Sequence, residues 1–128
     1  WVVHGADGLD EISTTGHTKV SECRNGVVNT FYVHPAEHGI SRAAMDELRG
    51  GSAEDNAAIT RSVLDGETGA PRDVVLLNAG AALLVAGRVK TLRDGVTQAG
   101  KSLDSGSASR KLEKMVQLSH QSIEGQER

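Results

Sequence analysis

The pattern of apolar and polar residues is typical of strands in the first third of the chain and of helices after it. Val2-Val3 opens the chain as a β-branched strand that runs into a loop with glycines and acidic residues. Thr18 to Cys23 and Val27 to Val33 are rich in β-branched and aromatic residues and predict two further strands. Arg24-Asn25-Gly26 lies between them, and Asn-Gly is the strongest short signal for a hairpin because both residues tolerate positive φ. Pro35 ends the second strand of that hairpin.

Helical spacing and capping residues predict about five helices after Ser41. The first is a short helix at about Arg42 to Leu48, and the second is capped by Ser52, carries Ile59 and Val63 on one face and ends near Gly66. The third has Pro71 in its first turn. The fourth is capped by Thr91 with Leu92, Val96, Ala99 and Leu103 on one face, and the last is capped by Ser107 with Leu112, Met115 and Val116. The third is apolar nearly all round from Val74 to Val85, so we expect it to be buried. The polar tail, Gly125 to Arg128, is expected to fray.

This order of elements predicts an α/β fold with few strands followed by several helices. Three strands are too few to cover these helices, and Val2-Val3 has no obvious partner strand. We therefore expect the rest of the sheet to come from residues before Trp1 or from another chain. Because the chain opens directly on a strand without an initiator methionine, we interpret it as one part of a protein that has been cut.

Composition narrows the class of protein. A length of 128 residues fits one domain or a large piece of one, and an aromatic content of 2% means that the core relies on Leu, Val, Ile and Ala. The net charge of −3 and the scattered Lys and Arg residues argue against a nucleic-acid partner.

The apolar run from Val74 to Gly87 is too short to span a bilayer and no targeting segment is visible, so we expect no membrane partner and a cytoplasmic location. The single cysteine, Cys23, excludes an internal disulfide and is expected to be a half-buried strand residue.

The loop after Val2-Val3 carries the most informative chemistry. Asp10 and Glu11 are adjacent carboxylates, and glycines at positions 5 and 8 give the backbone the freedom to bring both side chains to one cation. Mg²⁺ binds oxygen ligands and takes one or two carboxylates together with substrate phosphates. Asp10 and Glu11 are therefore the candidate metal ligands, and the alternative is a pair of solvated loop acids. For Asp7 the alternative to a metal contact is a turn cap.

Other polar candidates have plainer interpretations. His4 lies beside the acidic loop and is either a packed, hydrogen-bonded residue or part of a cleft wall. His34 and His120 lack a metal-ligand spacing to another His or Cys, so a zinc site is not expected. Gly50-Gly51 precedes a helix and could be mistaken for a phosphate-binding loop. Glu54-Asp55 follows at once and would repel an anion, so these glycines are interpreted as part of a helix cap.

Three runs of the sequence resemble the anthranilate phosphoribosyltransferase family, in the family's order. VVHGADGLDEIS, residues 2–13, resembles its Asp-Glu magnesium motif. Residues 48–87, from LRGGSAEDNAA to LLNAGAALLVAG, resemble its helical segment with Gly-Gly, an acidic stretch and Asn-Ala, and LRDGVTQAGKSLDSGSA at 92–108 resembles its closing helices. The resemblance spans almost all of this chain but only the C-terminal part of the family's chain. His17 and His38 depart from the family's pattern, and we interpret both as surface or interface variation.

The resemblance implies the C-terminal part of a nucleoside-phosphorylase-like α/β domain, with an active site in the cleft against a helical domain. It implies transfer of a phosphoribosyl group from phosphoribosyl pyrophosphate (PRPP) to anthranilate in tryptophan biosynthesis. In the family the Asp-Glu pair holds Mg²⁺ at the pyrophosphate, which corresponds to Asp10 and Glu11 here. His4 and Gly5, beside that motif, are candidate substrate-binding residues. The full-length protein is expected to be a homodimer.

Several motifs of the family are absent from these 128 residues. Its glycine-rich phosphate loop, its Lys-His-Gly-Asn segment and its anthranilate-binding arginine all precede the Asp-Glu motif. We therefore expect the chain alone to be inactive, because one metal site cannot replace the positioning of both substrates. Two alternatives remain. One is a non-catalytic interaction module that completes a separate N-terminal chain. The other is a pyrimidine nucleoside phosphorylase, which shares the fold but is disfavoured by the Asp-Glu pair.

Overall fold

The computed structural model describes residues 1–120, which form a small antiparallel sheet followed by helices. The elements are the strands β1 (Val2–Gly5), β2 (Thr18–Arg24) and β3 (Val27–Val33), two 3-10 turns at Pro35–His38 and Met45–Leu48, and the helices α1 (Ala53–Leu64), α2 (Ala70–Val85), α3 (Leu92–Asp104) and α4 (Ser107–Ser119). Within this range, each helix is too short or too polar to cross a membrane. The tail predicted to fray, Gly125 to Arg128, lies outside the described residues. The predicted order of strands and then helices is confirmed.

The β2–β3 hairpin forms where the sequence predicts it. Asn25 has a φ of 52° and Gly26 a φ of 77°, so both turn residues occupy the left-handed region. This is the geometry of a two-residue hairpin turn, whose twist matches that of the flanking strands. Arg24 pairs with Val27 at the turn, and Thr18 pairs with Val33 at the far end. β2 is one residue longer than predicted.

β1 has a partner within the chain, so the expectation of an orphan strand was wrong. It pairs antiparallel with β2, with Val2 opposite Ser21 and Gly5 opposite Thr18. Residues 6–17 form a loop that reverses the chain direction, and the Ala6 N–H donates to the His17 carbonyl at 3.0 Å to close it. The sheet therefore has the simple order β1-β2-β3. A sequence pattern does not reveal this reversal because the loop residues have no regular period.

The core consists of two clusters of aliphatic side chains, as the low aromatic content predicts. The first lies between the sheet and the helices and contains Ile12, Val20, Val33, Leu77, Ala81 and Leu92. The second lies among the helices and contains Ile40, Val63, Leu76, Ala99 and Leu103. Trp1 and Phe31 cover the edge of the first cluster in an edge-to-face contact, with ring centroids 5.3 Å apart. Both clusters contact α2, which therefore joins the sheet to the helices.

Helices α2 and α3 approach each other closely at two glycines. A Cβ on Gly80 would lie 2.7 Å from the Val96 nitrogen, and a Cβ on Gly95 would overlap the Gly80 carbonyl oxygen. Small residues at this point let the two backbones touch. The prediction that α2 is a buried helix holds for one side only, because Leu77 is fully buried whereas Val75 is 41% exposed and Val85 is 53% exposed. The sheet and α3 cover one side of this helix and leave these residues of the other side open.

Two of the three predicted helix caps, Ser52 and Thr91, are confirmed. The Ser52 hydroxyl accepts from the Asp55 N–H at 3.2 Å, and the Thr91 hydroxyl accepts from the Asp94 N–H at 3.1 Å. Ser107 was wrongly predicted as a cap. It is the first residue of α4, and the cap position belongs to Gly106, with a φ of 70°.

Two further predictions need correction. The helix expected at Arg42 to Leu48 is only the 3-10 turn Met45–Leu48, because the preceding residues bind the loop after β1. The Arg42 Nε donates to the Thr15 carbonyl at 2.6 Å, and the Ala43 N–H donates to the Thr14 carbonyl at 3.0 Å. Cys23 is exposed instead of half-buried, because the hairpin end of the sheet extends beyond the helices that cover it.

Candidate functional site

The acidic loop connects β1 to β2 and lies against α2. Its two adjacent acids, Asp10 and Glu11, are both exposed. Among residues 1–120 neither carboxylate accepts a hydrogen bond or forms an ion pair. The remaining residues of the loop are tied to the fold on both sides of this pair, so the two carboxylates project from a fixed frame with their oxygens available.

On the N-terminal side of the pair, the loop forms a tight turn. The Gly5 N–H donates to the Leu9 carbonyl at 2.8 Å, and the Gly8 N–H donates to the Gly5 carbonyl at 2.9 Å. Gly8 has a φ of 92°, a conformation that other residues rarely adopt. The Leu9 N–H donates to Asp7 Oδ1 at 3.0 Å, so Asp7 caps the turn. Leu9, the residue before the acidic pair, is therefore held through both its amide and its carbonyl group.

The Asp7 side chain points into the loop. Its second carboxylate oxygen accepts hydrogen bonds from the hydroxyls of Ser13 and Thr15. Burial alone would raise the pKa of Asp7, but the bonds from Ser13, Thr15 and Leu9 outweigh it and lower the pKa below its ordinary value. The ionised form of this half-buried carboxylate is thus favoured, and the residue has the capping role that was one of its two interpretations.

On the C-terminal side of the pair, α2 holds the loop through Asn78. The Ile12 N–H donates to Asn78 Oδ1 at 2.9 Å, and Asn78 Nδ2 donates to the Ile12 carbonyl at 2.9 Å. The next residues, Ser13 and Thr14, are fully buried, and the Ser13 N–H donates to the Thr18 hydroxyl at 2.9 Å. In the sequence, Asn78 is only a polar interruption of an apolar run, and its role was missed. An amide within an apolar helix needs hydrogen-bond partners, which is the signal that could have identified it.

The candidate substrate-binding residues lie where β1 enters this loop. His4 is exposed and lies opposite Lys19 of β2. Gly5 is buried, and a Cβ there would overlap Asp7 Oδ1 and lie 3.2 Å from the Ser13 Cβ. The packing of Asp7 thus gives Gly5 a structural reason to be glycine. A contact of His4 or Gly5 with substrate stays a prediction.

Among the described residues, neither a hydrogen bond nor an ion pair joins His17, His34 or His38 to the acidic pair. His17 is exposed and packs edge-to-face on Tyr32, with ring centroids 5.5 Å apart, and its ring lies 5.7 Å from that of His34. His38 is half-buried, and this burial lowers its pKa. In the part of the chain that the structure describes, no three His, Cys, Asp or Glu residues form a metal-binding group.

An open apolar cavity of about 550 Å³ lies on one side of the acidic pair. Glu11 lies at the rim of this cavity. The walls of the cavity are formed by the acidic loop, the second 3-10 turn, α1 and α2. The lining includes Leu9, Leu48, Ile59, Val63 and Val74. Glu11 therefore lies at a boundary between solvent and an apolar recess, whereas Asp10 does not contribute to the lining.

The donor set fits Mg²⁺ in an open site. Two exposed carboxylates on adjacent loop residues supply hard oxygen ligands, and no third acidic or imidazole group joins them within the described residues. Magnesium retains water and binds proteins through one or two carboxylates, with substrate phosphates completing its shell. Such a pair does not build a closed cage, so it suits an ion that arrives with a phosphate-bearing ligand.

Comparison with known proteins identifies the family. Residues 1–109 match the sequence model of a family described as glycosyl transferase family, a/b domain. The chain belongs to this family. It is 58% identical over 119 residues to an anthranilate phosphoribosyltransferase of Symbiobacterium thermophilum, covering 93% of this chain and 35% of that relative. It is 54% identical over 116 residues to one of Azorhizobium caulinodans, covering 91% of this chain and 34% of the relative.

Solved structures of the same enzymes share the fold. The crystal structure of anthranilate phosphoribosyltransferase from Thermus thermophilus superposes with a TM-score of 0.78 at 40% identity, covering 88% of this chain and 33% of that one. The Saccharomyces cerevisiae enzyme in complex with PRPP and Mg superposes with a TM-score of 0.78 at 28% identity, covering 87% and 32%. The predicted α/β fold and the resemblance to this group of enzymes are confirmed. The chain spans about a third of the length of these relatives.

Proposed function

We propose that this chain is the C-terminal portion of the catalytic domain of an anthranilate phosphoribosyltransferase, a Mg²⁺-dependent pentosyltransferase of tryptophan biosynthesis. The observation that carries the proposal is the exposed Asp10–Glu11 pair on an anchored loop, in a chain 58% identical to such an enzyme. The helical domain and the phosphate-loop half belong to a longer polypeptide, called here the full-length protein. The full-length protein transfers phosphoribosyl from PRPP to anthranilate, acts in the cytoplasm and forms a homodimer.

In this proposal Asp10 and Glu11 hold Mg²⁺ together with the pyrophosphate of PRPP. The bound ion neutralises and orients the leaving group. The fixed positions of Leu9 and Ile12 support this role, because they hold the backbone on both sides of the acids before substrate arrives. His4 and Gly5 lie at the entrance of the same loop and form part of the cleft wall beside PRPP.

The comparison structures support the choice of ligands. A Saccharomyces cerevisiae relative has been solved with PRPP and Mg, and another structure of that enzyme contains 4-fluoroanthranilate. A pyrimidine nucleoside phosphorylase would instead cleave a nucleoside with phosphate. An assay of the full-length protein with both substrate pairs separates the two activities, and phosphorolysis without anthranilate turnover would contradict the proposal.

Removing the acidic pair tests the metal assignment. The double variant Asp10→Asn/Glu11→Gln of the full-length protein should lose about 10³-fold in kcat/KM, because a catalytic ion contributes several kcal/mol to the transition state. Its unfolding curve should match that of the wild type, since both side chains are exposed. Steady-state kinetics and titration calorimetry of Mg²⁺ with PRPP measure the effect.

A second acidic pair provides the matched control. Glu54 and Asp55 are also adjacent and exposed, but they lie in the first turn of α1. The variant Glu54→Gln/Asp55→Asn should keep wild-type kinetics and Mg²⁺ affinity. Equal losses in the two double variants would show a general charge effect and would remove the assignment of Asp10 and Glu11.

The isolated chain provides a separate test. With PRPP, anthranilate and Mg²⁺, residues 1–128 alone should form no product above background. If the remaining portion of the full-length protein is added as a separate polypeptide and activity returns, the chain is part of a split catalytic unit. Association without activity would favour the alternative of a non-catalytic module that completes another chain.

A further inference from the structure

Asn78 makes three hydrogen bonds, two of which reach from α2 into the acidic loop. Its Nδ2 donates to the Ile12 carbonyl and to the Val74 carbonyl of its own helix, both at 2.9 Å. Its Oδ1 accepts from the Ile12 N–H at 2.9 Å. Both amide protons are used, so reversing the amide would place its oxygen against two carbonyls and its NH₂ against an N–H donor. The side chain therefore has one favourable orientation.

The residue that Asn78 holds is the direct neighbour of Glu11. The Ile12 side chain is 2% exposed and belongs to the core cluster between sheet and helices. Packing fixes where this side chain lies, but it leaves the tilt of the Glu11–Ile12 peptide group free. The bond from the Ile12 N–H to Asn78 Oδ1 fixes that tilt, because this N–H belongs to the Glu11–Ile12 peptide group. The bond from Asn78 Nδ2 to the Ile12 carbonyl fixes the next peptide group, between Ile12 and Ser13.

We propose that Asn78 is a positioning residue that sets the direction in which Asp10 and Glu11 present their carboxylates to a divalent cation. The inference rests on the proposed function and adds to it a residue 66 positions from Ile12 in sequence. Mg²⁺ demands near-ideal octahedral geometry, so small rotations of a ligand backbone weaken binding. Outer residues that orient metal ligands typically contribute about 10–100-fold to affinity or activity.

Asn56 offers a matched control within the same chain. It makes the same type of two-bond contact with a backbone, accepting from the Gly51 N–H at 2.9 Å and donating to the Gly51 carbonyl at 3.2 Å. This contact is exposed and lies at the start of α1. Asn56→Leu therefore removes an equivalent set of bonds from a part of the fold that does not carry the acids.

The experiment compares Asn78→Leu, Asn78→Ser and Asn56→Leu in the full-length protein. Mg²⁺ is titrated calorimetrically in the presence of PRPP and without anthranilate, and hydrogen exchange reports on the Ile12 amide. Both Asn78 variants should bind Mg²⁺ about tenfold more weakly or worse. They should also exchange the Ile12 amide faster and keep the KM for anthranilate. Asn56→Leu should match the wild type in all three measurements.

A variant with lowered stability separates positioning from general loosening. Leu103→Ala creates a cavity in the second core cluster, away from the loop, and should lower the melting temperature without weakening Mg²⁺ binding. If Asn78→Leu does not fold, Asn78→Ser carries the test, because its smaller side chain leaves room for water to satisfy Ile12. Wild-type Mg²⁺ affinity in a folded Asn78 variant, or equal weakening in Leu103→Ala, would overturn the inference. A wild-type protein that binds PRPP and Mg²⁺ but does not use anthranilate would instead overturn the proposed function.

Discussion

The loop between β1 and β2 contains two adjacent segments, within six residues, that differ in environment. Asp10 and Glu11 are exposed, with no hydrogen-bond or ion-pair partner among residues 1–120, whereas Ile12 to Thr15 are at most 7% exposed. The change takes place across the single peptide bond between Glu11 and Ile12. Residues available for chemistry thus contribute little to stability, and their buried neighbours supply the frame. Substitutions before this bond should therefore change mainly activity, and substitutions after it should change mainly stability.

The largest effect on stability is expected from truncating the buried side of this bond. Ile12→Ala removes a core side chain and should lower the free energy of unfolding by about 3 kcal/mol. Glu11→Ala, one residue earlier, should change it by less than about 0.5 kcal/mol because the side chain is exposed. Urea denaturation followed by circular dichroism measures both values. Similar losses in the two variants would contradict the division between a chemical segment and a frame.

A smaller effect is expected where the frame depends on backbone contact between α2 and α3. Gly95→Ala places a methyl group against the Gly80 carbonyl and should destabilise the fold by about 2 kcal/mol. Gly100 is the control in the same helix, because a Cβ there would meet its nearest neighbours, from Arg72 and Leu76, only at 3.9 Å. Gly100→Ala should be neutral or stabilising by up to about 1 kcal/mol, through helix propensity. Denaturation curves that rank the two variants in the opposite order would show that the helices do not meet as described.

The sequence predicts the parts of this fold that depend on local chemistry. Asn25-Gly26 specifies a hairpin turn because both residues adopt positive φ, and Ser52 and Thr91 cap helices with their own hydroxyls. These features involve residues at most a few positions apart. Ser107 shows the limit of such signals, since a glycine one position earlier takes the cap and the serine enters the helix.

Features that depend on distant residues were missed or wrongly predicted. The pairing of β1 with β2 depends on the path of an irregular loop, and the exposure of Cys23 depends on where the helices cover the sheet. The contact between Asn78 and Ile12 joins residues 66 apart and has no periodic signature. The assignment of the acids as metal ligands comes from their adjacency and from the family resemblance, and it stays a prediction. The contacts that hold the two acids in place could be identified only from the three-dimensional structure.

The smallest expected effect concerns the pH dependence of the frame at Asp7. Hydrogen bonds from Ser13, Thr15 and Leu9 outweigh burial and hold the folded-state pKa of Asp7 below its ordinary value of 3.8. A lowered folded pKa means that the ionised group stabilises the fold above pH 3.8 and that this contribution is lost as the pH falls through the folded pKa. Acid titration of stability should therefore be less steep in Asp7→Asn than in the wild type below pH 3.8. Asp73 gives a control of opposite sign, because burial raises its pKa. The contribution of Asp73 to the stability of the fold should therefore rise as the pH falls towards 3.8. An Asp7→Asn profile parallel to the wild type would show that this carboxylate does not hold the loop together.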